Sequence, residues 1–193
     1  GGGAEARVFR TTDRGRSWTV AGTGMPGGPS AGLFGIAFSD PLNGLAVGGD
    51  YNIPRGVTDF AIRTTDGGRT WKPAGDVLHR PDGVTQGLTL VRGTRTPTFV
   101  ATGGWGTAFT TDFGATWQAL ADSTIRGYAH CVRQDPVNPD LVFVGTEWGL
   151  YGSLDGGHQW ARIKAGIPAV AVRDLAIHPR EGDLVIATHG RGI

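Results

Sequence analysis

Four eight-residue segments recur along this chain, and they restrict its fold more than any other feature. They are Thr11-Thr12-Asp13-Arg14-Gly15-Arg16-Ser17-Trp18, Thr64-Thr65-Asp66-Gly67-Gly68-Arg69-Thr70-Trp71, Thr110-Thr111-Asp112-Phe113-Gly114-Ala115-Thr116-Trp117 and Ser153-Leu154-Asp155-Gly156-Gly157-His158-Gln159-Trp160. The shared pattern is Ser/Thr-x-Asp-x-Gly-x-Ser/Thr-Trp, broken only at Gln159, and its aspartates lie 53, 46 and 43 residues apart. A period of this size belongs to a solenoid, an array or a propeller.

The chemistry of each segment is local. A strand has to reverse within about four residues, so the Asp carboxylate accepts bonds from amides of its own turn and the Gly two positions on supplies a positive φ. The Trp is expected to start the returning strand and to bury its ring between neighbouring sheets. Asp13, Gly15, Trp18, Asp66, Gly68, Trp71, Asp112, Gly114, Trp117, Asp155, Gly157 and Trp160 are therefore read as structural. A calcium loop would need further carboxylates at alternate positions; none is present, so no metal or other cofactor is expected.

The intervals repeat as well. After the first segment a Gly/Pro-rich loop is expected over 21–32, then an apolar run Leu33 to Phe38, the turn Ser39 to Gly44, a second run Leu45 to Val47, a long loop, and Phe60 to Thr64 leading into the second segment. The later units give strands over 87–91, 98–102, 107–110 and 116–120, then 128–133, 141–145, 150–153 and 159–163. A second turn recurs in phase as Asp40-Pro41-Leu42-Asn43, Asp135-Pro136-Val137-Asn138 and His178-Pro179-Arg180-Glu181. Four-stranded antiparallel units of about 40 to 50 residues are propeller blades. The reading is all-β: about four blades of four antiparallel strands, with a partial blade at 1–21, blades at 33–75, 86–121 and 127–165, and a partial blade at 170–193, part of a larger propeller of six or more blades. The 34 glycines and 11 prolines among 193 residues fit many short strands joined by turns, and 39% hydrophobic residues argue against disorder.

The four segments resemble the Asp boxes of the bacterial neuraminidase (BNR) repeat superfamily, which includes sialidases, xyloglucan-cleaving hydrolases, sortilin-type receptor domains and photosystem II assembly-factor propellers. Residues 8–71, with Phe34-Gly35-Ile36-Ala37-Phe38 and Gly44 to Asp50, look like bacterial propellers related to the photosystem assembly factor. Residues 127–193, with Asp135 to Asp140, Gly145 to Leu150 and Ala187 to Ile193, look like secreted sortilin-like bacterial propellers. Neither resemblance implies a catalytic reaction. A sialidase would bring an Arg-Ile-Pro motif and three substrate-clamping arginines; Ile53-Pro54-Arg55 runs in the wrong order, and no arginine is assignable to the clamp.

Strand parity locates the expected site. Turns after first and third strands leave one face of a propeller and are the tight repeated ones; turns after second and fourth strands leave the other face, where variable loops carry function. That face holds Asp50, Tyr51, Asn52, Arg55 and Asp59, then Trp105, then Glu147 and Trp148, then His189 and Arg191, with His79, Arg80, Asp82, Asp122, Arg126 and Tyr128 between blades. Aromatic faces beside carboxylates and arginines suit sugars, peptides or aromatic side chains, while Trp105 and Trp148 also suit a role closing the channel mouth. A glycosidase would use a carboxyl pair, for which Asp50, Asp122 and Glu147 are candidates. His130 and Cys131 are expected on opposite sides of one strand, which rules out a shared metal, and Cys131 reads as a core residue.

The 18 basic and 17 acidic residues are scattered, so no nucleic-acid partner is expected, and no apolar stretch is long enough for a membrane span. The lone cysteine excludes an internal disulfide. The expectation is a non-catalytic scaffold in a bacterial periplasmic or secreted setting, binding a protein or glycan partner through its loop-rich face. The alternatives are a glycoside hydrolase completed by further blades, and a structural module of a large secreted protein.

Overall fold

The computed structural model describes residues 3–52, 60–75, 84–92, 94, 96–103, 106–119, 124–125, 129–164 and 166–189, and its regular elements there are all β-strands. β1 (Glu5–Arg10) pairs with β2 (Thr19–Pro26). Three four-stranded meanders follow: β3 (Ala31–Phe38), β4 (Gly44–Asp50), β5 (Phe60–Thr64) and β6 (Lys72–Gly75); β7 (Thr85–Val91), β8 (Thr98–Gly103), β9 (Gly106–Thr110) and β10 (Gln118–Ala119); β11 (Ala129–Gln134), β12 (Val142–Thr146), β13 (Gly149–Ser153) and β14 (Ala161–Ile163). β15 (Ala171–Ile177) pairs with β16 (Leu184–His189). All pairings are antiparallel, and the first strands β3, β7, β11 and β15 pack side by side as an inner wall.

Each aspartate turn is closed by the same bonds. In the first, the Thr11 hydroxyl donates to Asp13 Oδ1 at 2.8 Å and accepts the Gly15 N–H at 2.8 Å, while Asp13 accepts the Ser17 N–H at 2.9 Å and the Ser17 hydroxyl at 2.5 Å. Thr64 with Asp66 and Thr70, and Thr110 with Asp112 and Thr116, repeat the set. Ser153 and Asp155 repeat it with only the backbone N–H of Gln159. Bonds to the ionised form stabilise it. The Ser17 hydroxyl and amide thus lower Asp13 to about 2, and Thr70 lowers Asp66 in the same way. Partial burial pushes Asp112 up, but the Thr116 and Thr110 bonds outweigh it; the Gln159 amide and the Ser153 hydroxyl lower Asp155.

The glycines two positions after each aspartate have φ between 83° and 100°, and the residues before them, Arg14, Gly67, Phe113 and Gly156, are also at positive φ. Both central residues of each reversal are left-handed, the backbone that matches the twist of a tight hairpin. The turns after the first strands are capped the same way: Asp40 accepts the N–H groups of Leu42 and Asn43, Asp135 those of Val137 and Asn138, and His178 Nδ1 that of Glu181. The two turn types meet on one face, where Gly67 N–H donates to Leu42 O at 2.8 Å and Gly156 N–H to Asp140 O at 2.9 Å.

Alternate residues of each second strand face opposite neighbouring sheets. Ala46, Ile62 and Trp71 pack toward β1 and β2; Leu45 and Val47 pack with Leu88, Phe99 and Trp117. Val100, Val132, Val144 and Trp160 fill the next interface, and Cys131, Leu150, Val172 and Leu175 the last. Each buried tryptophan removes enough apolar surface to contribute at most about 4 to 6 kcal/mol.

Three sequence expectations change. Trp71, Trp117 and Trp160 are 6–8% exposed, but Trp18 is 58% exposed, because each ring packs against the sheet before its own and none of the described residues precedes β1 and β2 as a sheet. The returning strands begin after the tryptophan, not at or before it, because the N–H of the preceding residue is engaged by the aspartate. The expected loop over 21–32 is largely strand: β2 runs to Pro26 and β3 starts at Ala31. Thr23 is buried with its hydroxyl on Ala6 O at 2.6 Å, and Gly24 accommodates an irregularity with φ 70°.

Candidate functional site

The inner wall carries a feature that arises from pairing alone. Where first and second strands pair, Leu33 and Gly35 oppose the consecutive residues Gly48 and Val47; Thr85 and Gly87 oppose Gly103 and Thr102; Ala129 and Cys131 oppose Thr146 and Gly145; Val172 and Asp174 oppose Thr188 and Ala187. Each first strand therefore inserts one extra residue at the same register: Phe34, Gln86, His130 and Arg173. A bulge of this kind re-aims a side chain. All four residues line one cavity of about 480 Å³ with Arg133 and Asp174.

Three bulge residues form a chain of polar contacts. Arg173 Nη1 lies 3.4 Å from His130 Nδ1, which lies 3.4 Å from the Gln86 side-chain amide. A guanidinium only donates, so toward Arg173 Nδ1 acts as the acceptor, and Gln86 Oε1 lies against the same nitrogen. Burial lowers the His130 pKa and the Arg173 charge lowers it further, while Glu147 opposes both. The imidazole is thus neutral near pH 7.

Below this row Arg133 Nη2 bonds Asp174 Oδ1 at 2.8 Å, and the same oxygen accepts the Leu175 N–H at 2.8 Å. Cys131, next to His130, points into the core among Leu150, Val172 and Leu175, and burial pushes its thiol up to about 11, which makes it a poor nucleophile.

The loop-face candidates lie around the ends of these strands. Asp50 ends β4 and its carboxylate accepts the Asn52 N–H at 2.9 Å. Tyr51 is exposed, donates its hydroxyl to Pro29 O at 3.1 Å, and holds its ring 6.4 Å from that of Phe34. The two rings also border a second cavity, of about 610 Å³, with Glu5 and Phe9. Glu147 and Trp148 form the turn from β12 to β13; Trp148 is 56% exposed and its N–H is held by the Thr146 hydroxyl at 3.1 Å. His189 ends β16, opposite Ala171, and is exposed. Arg55, Trp105, Asp122, Arg126, Tyr128 and Arg191, with Asp59, His79, Arg80 and Asp82, lie outside the described residues.

One rim residue is thus brought to a bulge residue, Tyr51 to Phe34 by ring contact, while the Glu147 charge raises the pKa of His130 against the larger lowering effects. Gln86 and Arg173 were not singled out by the sequence, because a bulge is a property of hydrogen-bond register and its four occupants share no residue type. Phe34 was read only as part of an apolar run.

Four-stranded meanders stacked about a common inner wall of first strands define the class: this is a β-propeller fold. No family model matches the chain, and no curated protein matches it. Among solved structures it is similar to YCF48 bound to D1 peptide, with TM-score 0.60 and 22% identity over 83% of this chain and 49% of that one. It is similar to YCF48 from Cyanidioschyzon merolae, with TM-score 0.65 and 13% identity over 96% of this chain and 62% of that one. It is also similar to the GH74 xyloglucanase from Xanthomonas campestris, with TM-score 0.64 and 18% identity over 81% of this chain and 26% of that one. The chain spans less than two thirds of each of these structures. Among the described residues no helix is long and apolar enough to cross a membrane.

Proposed function

We propose that this chain belongs to an Asp-box propeller that binds a polypeptide partner without catalysis, on the face where the rim residues Tyr51, Glu147, Trp148 and His189 adjoin the bulge row. The observation that carries this reading is the coupling of rim to wall: the Tyr51 ring meets at a tilt the ring of Phe34, and the Glu147 charge is felt at His130, both Phe34 and His130 lining the 480 Å³ cavity. Asp13, Asp66, Asp112 and Asp155 are engaged by their own turns, which supports the Asp-box assignment and removes them as acid catalysts. A structural neighbour, YCF48, is bound to a peptide. The test is selection from a displayed peptide library, in parallel with a glycan array, using the wild-type chain, Tyr51→Ala and Trp148→Ala. Peptide binding lost in the variants with unfolding temperature unchanged supports the reading; selection of glycans alone replaces the partner class, and binding that both variants retain places it elsewhere.

The second reading is a glycoside hydrolase, with Asp50, Asp122 and Glu147 as candidate acids. It is favoured by exposed Trp148 beside exposed Glu147, a sugar platform next to a carboxylate, and by likeness to a GH74 fold. Release of reducing ends from xyloglucan, abolished in Glu147→Gln, would move the assignment to an enzyme.

A further inference from the structure

The bulge is architecture, since it recurs in every first strand described, but its occupants are not. The position after it varies too, as Gly35, Gly87, Cys131 and Asp174, whereas the next is aliphatic in all four strands, as Ile36, Leu88, Val132 and Leu175. The bulge position itself runs from aromatic Phe34 through the Gln86 amide and the His130 imidazole to the Arg173 guanidinium. A constant backbone device that brings unlike residues to the lining of one cavity is a scaffold with variable recognition groups.

Charge along the row is uneven. Arg133 is neutralised by Asp174 at 2.8 Å. Arg173 is exposed, pairs with no carboxylate among the described residues, and is instead steadied by the lone pair of a neutral imidazole. A guanidinium held by an uncharged partner keeps its full charge and most of its donors for a planar anion. At the opposite end of the row, Phe34 is 41% exposed and Tyr51 57% exposed, a small aromatic surface bordered by Phe9, Glu5 and Arg7. The 480 Å³ cavity that Arg173 and Phe34 both line is of a size that takes a small organic group.

We propose that this wall binds a carboxylate of its partner at Arg173, with an adjoining aromatic or aliphatic side chain laid toward Phe34. His130 and Gln86 are positioning residues that aim the guanidinium. The inference rests on the polypeptide-binding reading for the identity of the partner, but the carboxylate site itself is testable without it.

The probe is 3-phenylpropionate, titrated into the whole chain and followed by the NMR signals of the Arg173 guanidinium and the His130 ring. Saturable binding is expected. Its neutral analogue, 3-phenylpropanamide, should bind at least about tenfold more weakly, as should 3-phenylpropionate to Arg173→Gln, since an ionic hydrogen bond is lost in each case. Arg173→Lys should retain part of the affinity, and Phe34→Ala should weaken 3-phenylpropionate by about threefold while leaving acetate unchanged. Equal binding of acid and amide, or unaltered binding to Arg173→Gln, overturns the proposal. In the peptide selection, acidic-aromatic sequences lost with Arg173→Gln extend it to the partner, with free-acid and amidated peptides separating a chain terminus from an acidic side chain. Selected peptides indifferent to Arg173 overturn the inference and leave the binding reading intact. A library that yields nothing while 3-phenylpropionate binds at Arg173 keeps the site and removes the polypeptide partner.

Discussion

The indole nitrogen of Trp160 donates to the carbonyl of Gly157 at 2.8 Å, so the ring that fills an inter-sheet gap is also tied to the turn it follows. Trp18 makes the same bond to Gly15 at 3.1 Å while exposed. Trp71 and Trp117 are buried as deeply as Trp160, yet their indole nitrogens have no hydrogen-bond partner among the described residues.

That difference separates two otherwise equal substitutions. Trp→Phe removes a similar volume at positions 71, 117 and 160, but only at 160 does it break a bond and orphan a carbonyl. Trp160→Phe should therefore be less stable than Trp71→Phe or Trp117→Phe by about 1 kcal/mol. Urea denaturation of the three variants measures it, and equal midpoints would refute the argument.

The positive φ of the residue after each aspartate predicts opposite outcomes for glycine. Arg14 sits at φ 61° with an exposed side chain, so Arg14→Gly relieves backbone strain and should stabilise by up to about 1 kcal/mol. Phe113 sits at φ 56° but packs 5.3 Å from the Phe99 ring and against the core, so Phe113→Gly should destabilise by about 2 to 4 kcal/mol. Thermal unfolding of the pair distinguishes the two.

Acid should loosen the turns in a defined window. The aspartates of the turns have folded-state pKa values below those of the unfolded chain, so their contribution is present above pH of about 4 and is lost as pH falls through the folded value, about 2 for Asp13. Asp66→Asn should flatten this dependence, because an amide gains nothing from ionisation. Unfolding followed by tryptophan fluorescence between pH 5 and pH 1.5 checks the sign: stability that rises on acidification would contradict it.

The ring of His130 reports on the wall. Glu147→Gln removes a charge that favours its protonated form and should lower its pKa further; Arg173→Gln removes an opposing cation and should raise it. An NMR titration of the ring protons follows both variants, and shifts in the same direction would break the proposed geometry.

The aspartate turns were legible because their chemistry is contained within the repeat: the residue types that make the bonds stand at fixed offsets. Even the role of Thr11, Thr64, Thr110 and Ser153 as hydroxyl acceptors had a signal, the shared Ser/Thr two positions before the aspartate. The antiparallel sheets followed from the same repeat. The bulge row did not, because it depends on which residue of one strand faces which of the next, and nothing in Phe34, Gln86, His130 and Arg173 as residue types marks a common place. The strand through residues 21–26 was hidden by glycine content, although Thr23 and its bond to Ala6 hold it in a sheet. On the rim, Tyr51 and Glu147 were expected from strand parity to lie at the loop ends of their strands, while the contact of Tyr51 with Phe34 emerges only from packing.

Because each aspartate turn is closed by residues no more than four apart, its closure does not wait on distant parts of the chain. Such reversals can form on the microsecond scale of an isolated hairpin and bring the third and fourth strands together early. Assembly would then proceed from several seeds at once, leaving the docking of one preformed hairpin on the next as the slow step.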